Sequence, residues 1–208
     1  VISHDVLVGT NSIEIVSRRV GTSWPWYIIR GAGFTAAGLI VLLMLSGIGQ
    51  VTGLTYRFLE PVKAWAVHKA LAIALCVAIV IHGGFLLIDH YIHFSLLELF
   101  VPFLSNYNNK TQLIGLSLGW AATGLGVLAM YCVGIIVASS LGWIDTKRGL
   151  WRKLHYLSYV VALFVFLHAL YVGSDLEYGV FRRIWILVGL IVFIAVIFRL
   201  SRAGTLKH

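Results

Sequence analysis

The chain has 208 residues, 60% of them hydrophobic and only 12% charged, with 16 Lys and Arg against 8 Asp and Glu. Apolar runs of about 20 residues at this length exclude an ordinary soluble domain. The basic excess is better matched to anionic lipid headgroups than to nucleic acid.

Five apolar segments, at about 27–48, 65–89, 112–138, 152–172 and 183–201, are long enough to cross a hydrocarbon core of about 30 Å. Segments of that length must satisfy their own backbone groups in lipid, which predicts an all-α polytopic transmembrane bundle. The expected organisation is an extramembrane arm over 1–26, a helical membrane domain over 27–203 and a cytoplasmic tail over 204–208. The first residue is Val rather than Met, so the chain reads as a fragment or processed product of a longer one.

Taken in order, the arm ends in Trp24-Pro25-Trp26-Tyr27, an aromatic group suited to the membrane interface. Arg30 follows one turn inside the first span, where a guanidinium needs an anion or must snorkel to lipid phosphate. Gly31, Gly33, Ala36, Ala37 and Gly38 then admit the close approach of a helix or a flat ring. The second span carries His68 and, fourteen residues later, His82. Beyond it, Asp89-His90-Tyr91-Ile92-His93 reads either as an outer metal or substrate site or as hydrated interfacial histidines, and Pro102 marks a loop or short surface helix. The third span, with Gly115, Gly119, Gly124 and Gly126, reads as a structural helix able to pass close to its neighbours. Cys76 and Cys132 lie mid-helix in apolar surroundings and read as packing residues. The fourth span carries His155 and, thirteen residues later, His168, whereas the fifth has no histidine and completes the bundle.

At 1.5 Å per residue, each histidine pair on one helix is separated by roughly 20 Å, most of a bilayer core. If the two helices run the same way, His68 lies level with His155 and His82 with His168. Facing imidazoles at two depths are the ligand set of two stacked haems, because imidazole is a common axial ligand and bundle interiors place cofactors between facing helices. Arg30, Arg182 and Arg183 then fall where an outer propionate could be met, and Arg30 is the cofactor-binding candidate among them. Helical phase supports the first pair and resists the second. Fourteen steps of about 100° bring His68 and His82 within some 40° of one face, but thirteen leave His155 and His168 about 140° apart. A bend, a wide turn or contact from two flanks of the helix would each remove the conflict.

Lys and Arg are more frequent on the side holding Arg57, Lys63, Lys147, Arg148, Arg152 and Lys153. By the positive-inside rule this side is cytoplasmic, with the C-terminus inside and the N-terminus outside, as in a bacterial inner membrane.

These features resemble the ferric reductase-like transmembrane family, which includes ferric reductases and the membrane part of the NADPH oxidases. The matching residues are Arg30-Gly31-Ala32-Gly33, Trp65-Ala66-Val67-His68-Lys69 with His82, Trp151-Arg152-Lys153-Leu154-His155 with His168, and Gly173-Ser174-Asp175. The resemblance spans about residues 27–176, and the unequal histidine spacing is its most specific part. It implies two haem b groups that carry electrons from a cytoplasmic flavoprotein to an outer acceptor such as ferric iron or a redox partner. A histidine that the oxidases carry one turn beyond the outer ligand is replaced by Leu86, so reduction of oxygen to superoxide is not implied. No Gly-rich phosphate-binding loop occurs in the chain, which places FAD or FMN on a partner or another region. The rival reading is a quinone-reactive cytochrome b subunit of a respiratory complex, with Arg30 or Asp89-His90 lining the quinone pocket. A third reading is a scaffold subunit whose haems are structural.

Overall fold

The structure, a computed structural model, describes residues 4–92, 94–107, 112–113 and 116–205, with side chains described within 23–201 apart from 93 and 108–117. Helix α1 runs from His4 to Val51 and passes through Pro25, so the first span, Ser23–Val51, is the later part of a longer helix. A turn with Gly53 at φ 76° and a 3-10 helix, Thr55–Arg57, lead to α2, Pro61–Leu86. Pro61 opens α2 because its missing N–H would have no intrahelical acceptor at that position and its φ is already helical.

After α2, the short helix α3, Leu96–Phe100, is held by a reciprocal cap: Glu98 N–H donates to Ser95 Oγ at 3.2 Å and Glu98 Oε2 accepts from Ser95 N–H at 2.9 Å. It ends before Pro102, as the sequence indicates. Phe103 then adopts φ 64° and inserts its ring against Gly124, where a β-carbon would lie only 2.2 Å from the ring. Gln112–Leu113 and Leu116–Ser117 pair as two antiparallel strands, β1 and β2. The third span therefore begins at Gly119 as α4, Gly119–Gly142, and the expected helical start at 112 is corrected.

The fourth span is divided. Helix α5, Arg148–His155, meets α6, Leu157–Val172, at Tyr156, whose N–H donates to Lys153 O at 3.3 Å and whose carbonyl accepts from Tyr159 N–H at 3.1 Å. Both are i to i−3 bonds, the tighter 3-10 winding. A 3-10 helix, Ser174–Leu176, and Gly179 at φ 84° lead into α7, Gly179–Thr205. Among the described residues five helices are long and apolar enough to cross a membrane, as the sequence predicts.

The bundle is built from two antiparallel hairpins, α1 with α2 and α4 with α6. Gly33 faces His82 in the first half of the span Ser23–Val51 and Gly47 faces His68 near its end, which sets α1 and α2 antiparallel. Gly126 faces His168, and Trp151 Nε1 donates to Ser140 Oγ at 3.0 Å at the opposite end, which sets α4 and α6 antiparallel. Hence α2 and α6 are parallel. Their backbones hardly approach each other. Between the two depths, Ile40, Met44, Leu75, Ala129, Val133 and Val161 form an apolar layer, with Leu75 4% and Val161 2% exposed. Cys76 and Cys132 are free thiols packed against it, in accord with their reading as core residues. Helix α7 lies at the periphery, joined to α6 by the stacked rings of Phe166 and Trp185, 5.8 Å apart, and by Trp185 Nε1 donating to Phe166 O at 3.2 Å.

Candidate functional site

Four imidazoles converge in two pairs across the gap between α2 and the divided fourth span, where His155 ends α5 and His168 lies on α6. The ring centres of His68 and His155 are 6.3 Å apart, and those of His82 and His168 are 6.4 Å apart. The rings are inclined at 45° in the first pair and 90° in the second. The break at Tyr156 removes part of the phase conflict in the fourth span, since each residue wound at about 120° rather than 100° adds about 20° of rotation, and contact from two flanks of the helix takes up the rest.

The Nδ1 edge of each ring is directed at the protein. His82 Nδ1 bonds Ile29 O at 2.9 Å, and His168 Nδ1 bonds Ala122 O at 2.9 Å. Since a carbonyl can only accept, Nδ1 carries the proton in both, and Nε2 keeps its lone pair. His68 Nδ1 bonds Ser46 Oγ at 2.7 Å, while that hydroxyl also lies 3.1 Å from Leu43 O. With its single hydrogen on the carbonyl it offers His68 a lone pair, the arrangement that leaves His68 Nε2 likewise free. Nδ1 of His155 is buried with no partner among the described residues, and its ring packs at 5.3 Å from that of Trp151.

Glycines make these approaches possible. A β-carbon at Gly126 would sit 2.6 Å from His168 Nδ1, one at Gly33 would sit 3.2 Å from His82, and one at Gly47 would sit 3.5 Å from His68 Cε1. The third span thus holds a site residue through Ala122 and Gly126, beyond the purely structural part expected of it. Ser46, Ala122 and Ile29 escape a sequence reading, the last two because they act through main-chain carbonyls, which carry no residue signature. Gly126 was the available signal.

Arg30 has a protein anion. Its Nε donates to Asp175 Oδ2 at 2.8 Å and its Nη2 pairs with Asp175 Oδ1, while its guanidinium lies 4.1 Å from the ring centre of Trp26. This fork ties the start of the first span to the 3-10 helix that follows α6, at the depth of His82 and His168. Arg182 Nη1 donates to Leu176 O at 3.0 Å and Leu170 O at 3.4 Å, and Arg183 Nε to Gly179 O at 3.5 Å. Asp89 is buried and accepts from Ile92 N–H at 2.8 Å, so its carboxylate closes a local turn. His93, the other half of that proposed outer site, lies outside the described residues. Among the described residues no three His, Cys, Asp or Glu side chains converge as a metal site.

Paired imidazoles with free Nε2 atoms suit a metal whose remaining ligands come from a planar macrocycle. Two metal–nitrogen bonds of about 2 Å, with about 1.1 Å from each nitrogen to its ring centre, require ring centres about 6.2 Å apart. Both pairs meet that distance, so the residues fit haem.

The fold and site define a helical membrane protein with two stacked imidazole pairs between its second and fourth spans. The chain belongs to the ferric reductase like transmembrane component family, which matches residues 32–166. No curated protein and no solved structure matches. Family membership points to transmembrane electron transfer as the general task.

Proposed function

We propose that this chain is a di-haem b electron conduit, with His68 and His155 holding an inner haem and His82 and His168 an outer one. The observation that supports it is the ring spacing of 6.3 and 6.4 Å in two pairs on parallel helices. Haem iron at each level supplies a one-electron carrier. The chain's own residues orient the imidazoles, fix their tautomers through Ile29, Ala122 and Ser46, and exclude water with the layer around Leu75 and Val161. Orientation by the positive-inside rule puts His68 and His155 near the cytoplasm. Lys147, Arg148, Arg152 and Lys153 flank that end and suit a cytoplasmic flavoprotein or other donor subunit carrying FAD or FMN. Electrons then leave at the outer level, to ferric iron or a redox partner. The quinone-reactive alternative is the less favoured reading, since Arg30 pairs with Asp175 and Asp89 accepts from Ile92 N–H.

The test is a reduced-minus-oxidised spectrum with pyridine haemochrome quantitation for the parent and for His68→Ala, His82→Ala, His155→Ala and His168→Ala. Two b haems per chain, with one lost from either member of each level, supports the assignment. Fewer than two in the parent, or losses pairing His68 with His168, overturns it.

A further inference from the structure

Three of the four ligand histidines have an acceptor at Nδ1, and the acceptors differ in kind. At the outer level both are main-chain carbonyls, Ile29 O and Ala122 O, which no side-chain substitution removes. At the inner level His155 has none among the described residues, and His68 relies on the hydroxyl of Ser46. With its hydrogen on Leu43 O, the hydroxyl has a lone pair to offer His68, the pairing that an imidazole ligating through Nε2 requires. Gly47 beside it admits His68 Cε1 to within 3.5 Å of where a β-carbon would stand, so Ser46 and Gly47 together seat the ring against α1.

An acceptor at Nδ1 raises the donor strength of a ligating imidazole and favours the more highly charged metal state. We propose that Ser46 is the potential-setting residue of the inner level: its hydroxyl, acting through His68, holds the inner reduction potential below the value the two imidazoles alone would give. The outer level carries no replaceable equivalent. Its two carbonyls belong to α1 and α4, so its potential follows the backbone, whereas the inner one follows a single oxygen atom. This rests on the bis-histidine reading above. Ser46 is a positioning residue that acts only through His68.

The experiment is an optical redox titration of the purified protein, for the parent, Ser46→Ala and Ser46→Thr, each also in the His82→Ala background that keeps only the inner level. In Ser46→Ala one of the two midpoints rises, by enough to lower the oxidised-to-reduced ratio of that haem at least threefold at fixed potential, about 28 mV for one electron. The same rise appears in the single-haem background, and Ser46→Thr, which keeps a hydroxyl, stays near the parent. Unchanged midpoints with both haems bound would overturn the proposal while leaving the conduit intact. So would a shift confined to the midpoint that disappears in His82→Ala. Loss of the inner haem in Ser46→Ala would make the hydroxyl a requirement for binding and would also overturn a tuning role. A parent chain that binds no haem would overturn the conduit and this proposal together.

Discussion

Gly126→Ala is the sharpest test of how α4 seats the outer ligand. The added methyl would stand 2.6 Å from His168 Nδ1, against the 3.4 Å at which ordinary contact begins. His168 cannot retreat sideways without cost, because Nδ1 is bonded to Ala122 O at 2.9 Å, one turn earlier on the same helix. A withdrawal of roughly 0.8 Å breaks that bond, and metal–ligand distances tolerate only about 0.2 Å. Overpacking costs about 1–3 kcal/mol and the lost hydrogen bond about 1 kcal/mol, against about 1 kcal/mol gained by replacing a helical glycine. The net is a destabilisation of about 1–3 kcal/mol, localised at the outer level. Haemochrome quantitation should give one haem per chain, with the inner spectrum unchanged. Gly134→Ala on the same helix meets nothing within 4 Å and serves as the control, retaining both haems. Two haems with parental spectra in Gly126→Ala would refute the close seating of His168 on α4.

Asp175→Ala removes both bonds of the Arg30 fork and should lower stability by about 1–2 kcal/mol, discounted for partial exposure, read as an earlier thermal loss of the outer haem band. Arg30→Lys keeps the charge but cannot restore a two-point contact, so it should recover less than half of the loss. Trp151→Phe removes the bond to Ser140 and should cost about 1 kcal/mol while disturbing only the inner haem, checked by the same melting curve at two wavelengths. Glu98 is held below its ordinary value of 4.5 by hydrogen bonds from Ser95 N–H and Oγ–H. Its contribution to α3 is therefore present above 4.5 and is lost as pH falls through the lower folded value, which amide exchange in 96–100 should report as loosening only in acid.

The histidine levels were legible because an imidazole in an apolar helix is conspicuous and 1.5 Å per residue converts sequence separation into depth. Parallel running of α2 and α6 followed from counting spans. The angular conflict between His155 and His168 was not resolvable from sequence, since Tyr156 carries no glycine or proline to mark a change of winding. Arg30 announced its need for an anion, but Asp175 lies 145 residues away, and only the fold brings them together. Residues 112–117 are apolar enough to extend the third helix on paper, but Gln112–Leu113 pair with Leu116–Ser117 as antiparallel strands, and the helix begins at Gly119. The seats of the histidines were the least legible part. Carbonyls of Ile29 and Ala122 belong to any residue type, and a glycine such as Gly126 looks the same whether it admits a helix, a haem or a ligand ring.

The apolar layer around Leu75 and Val161 has an electrical consequence. It separates the two imidazole levels by roughly 20 Å of apolar side chains, so in the proposed conduit an electron crossing it carries charge through most of the membrane core. Each turnover in the proposed direction is then electrogenic. With the cytoplasm negative, the resting voltage drives the outward electron by about 2.3 kcal/mol per 100 mV for a full crossing, and sustained flux would discharge the membrane unless a pump restores it.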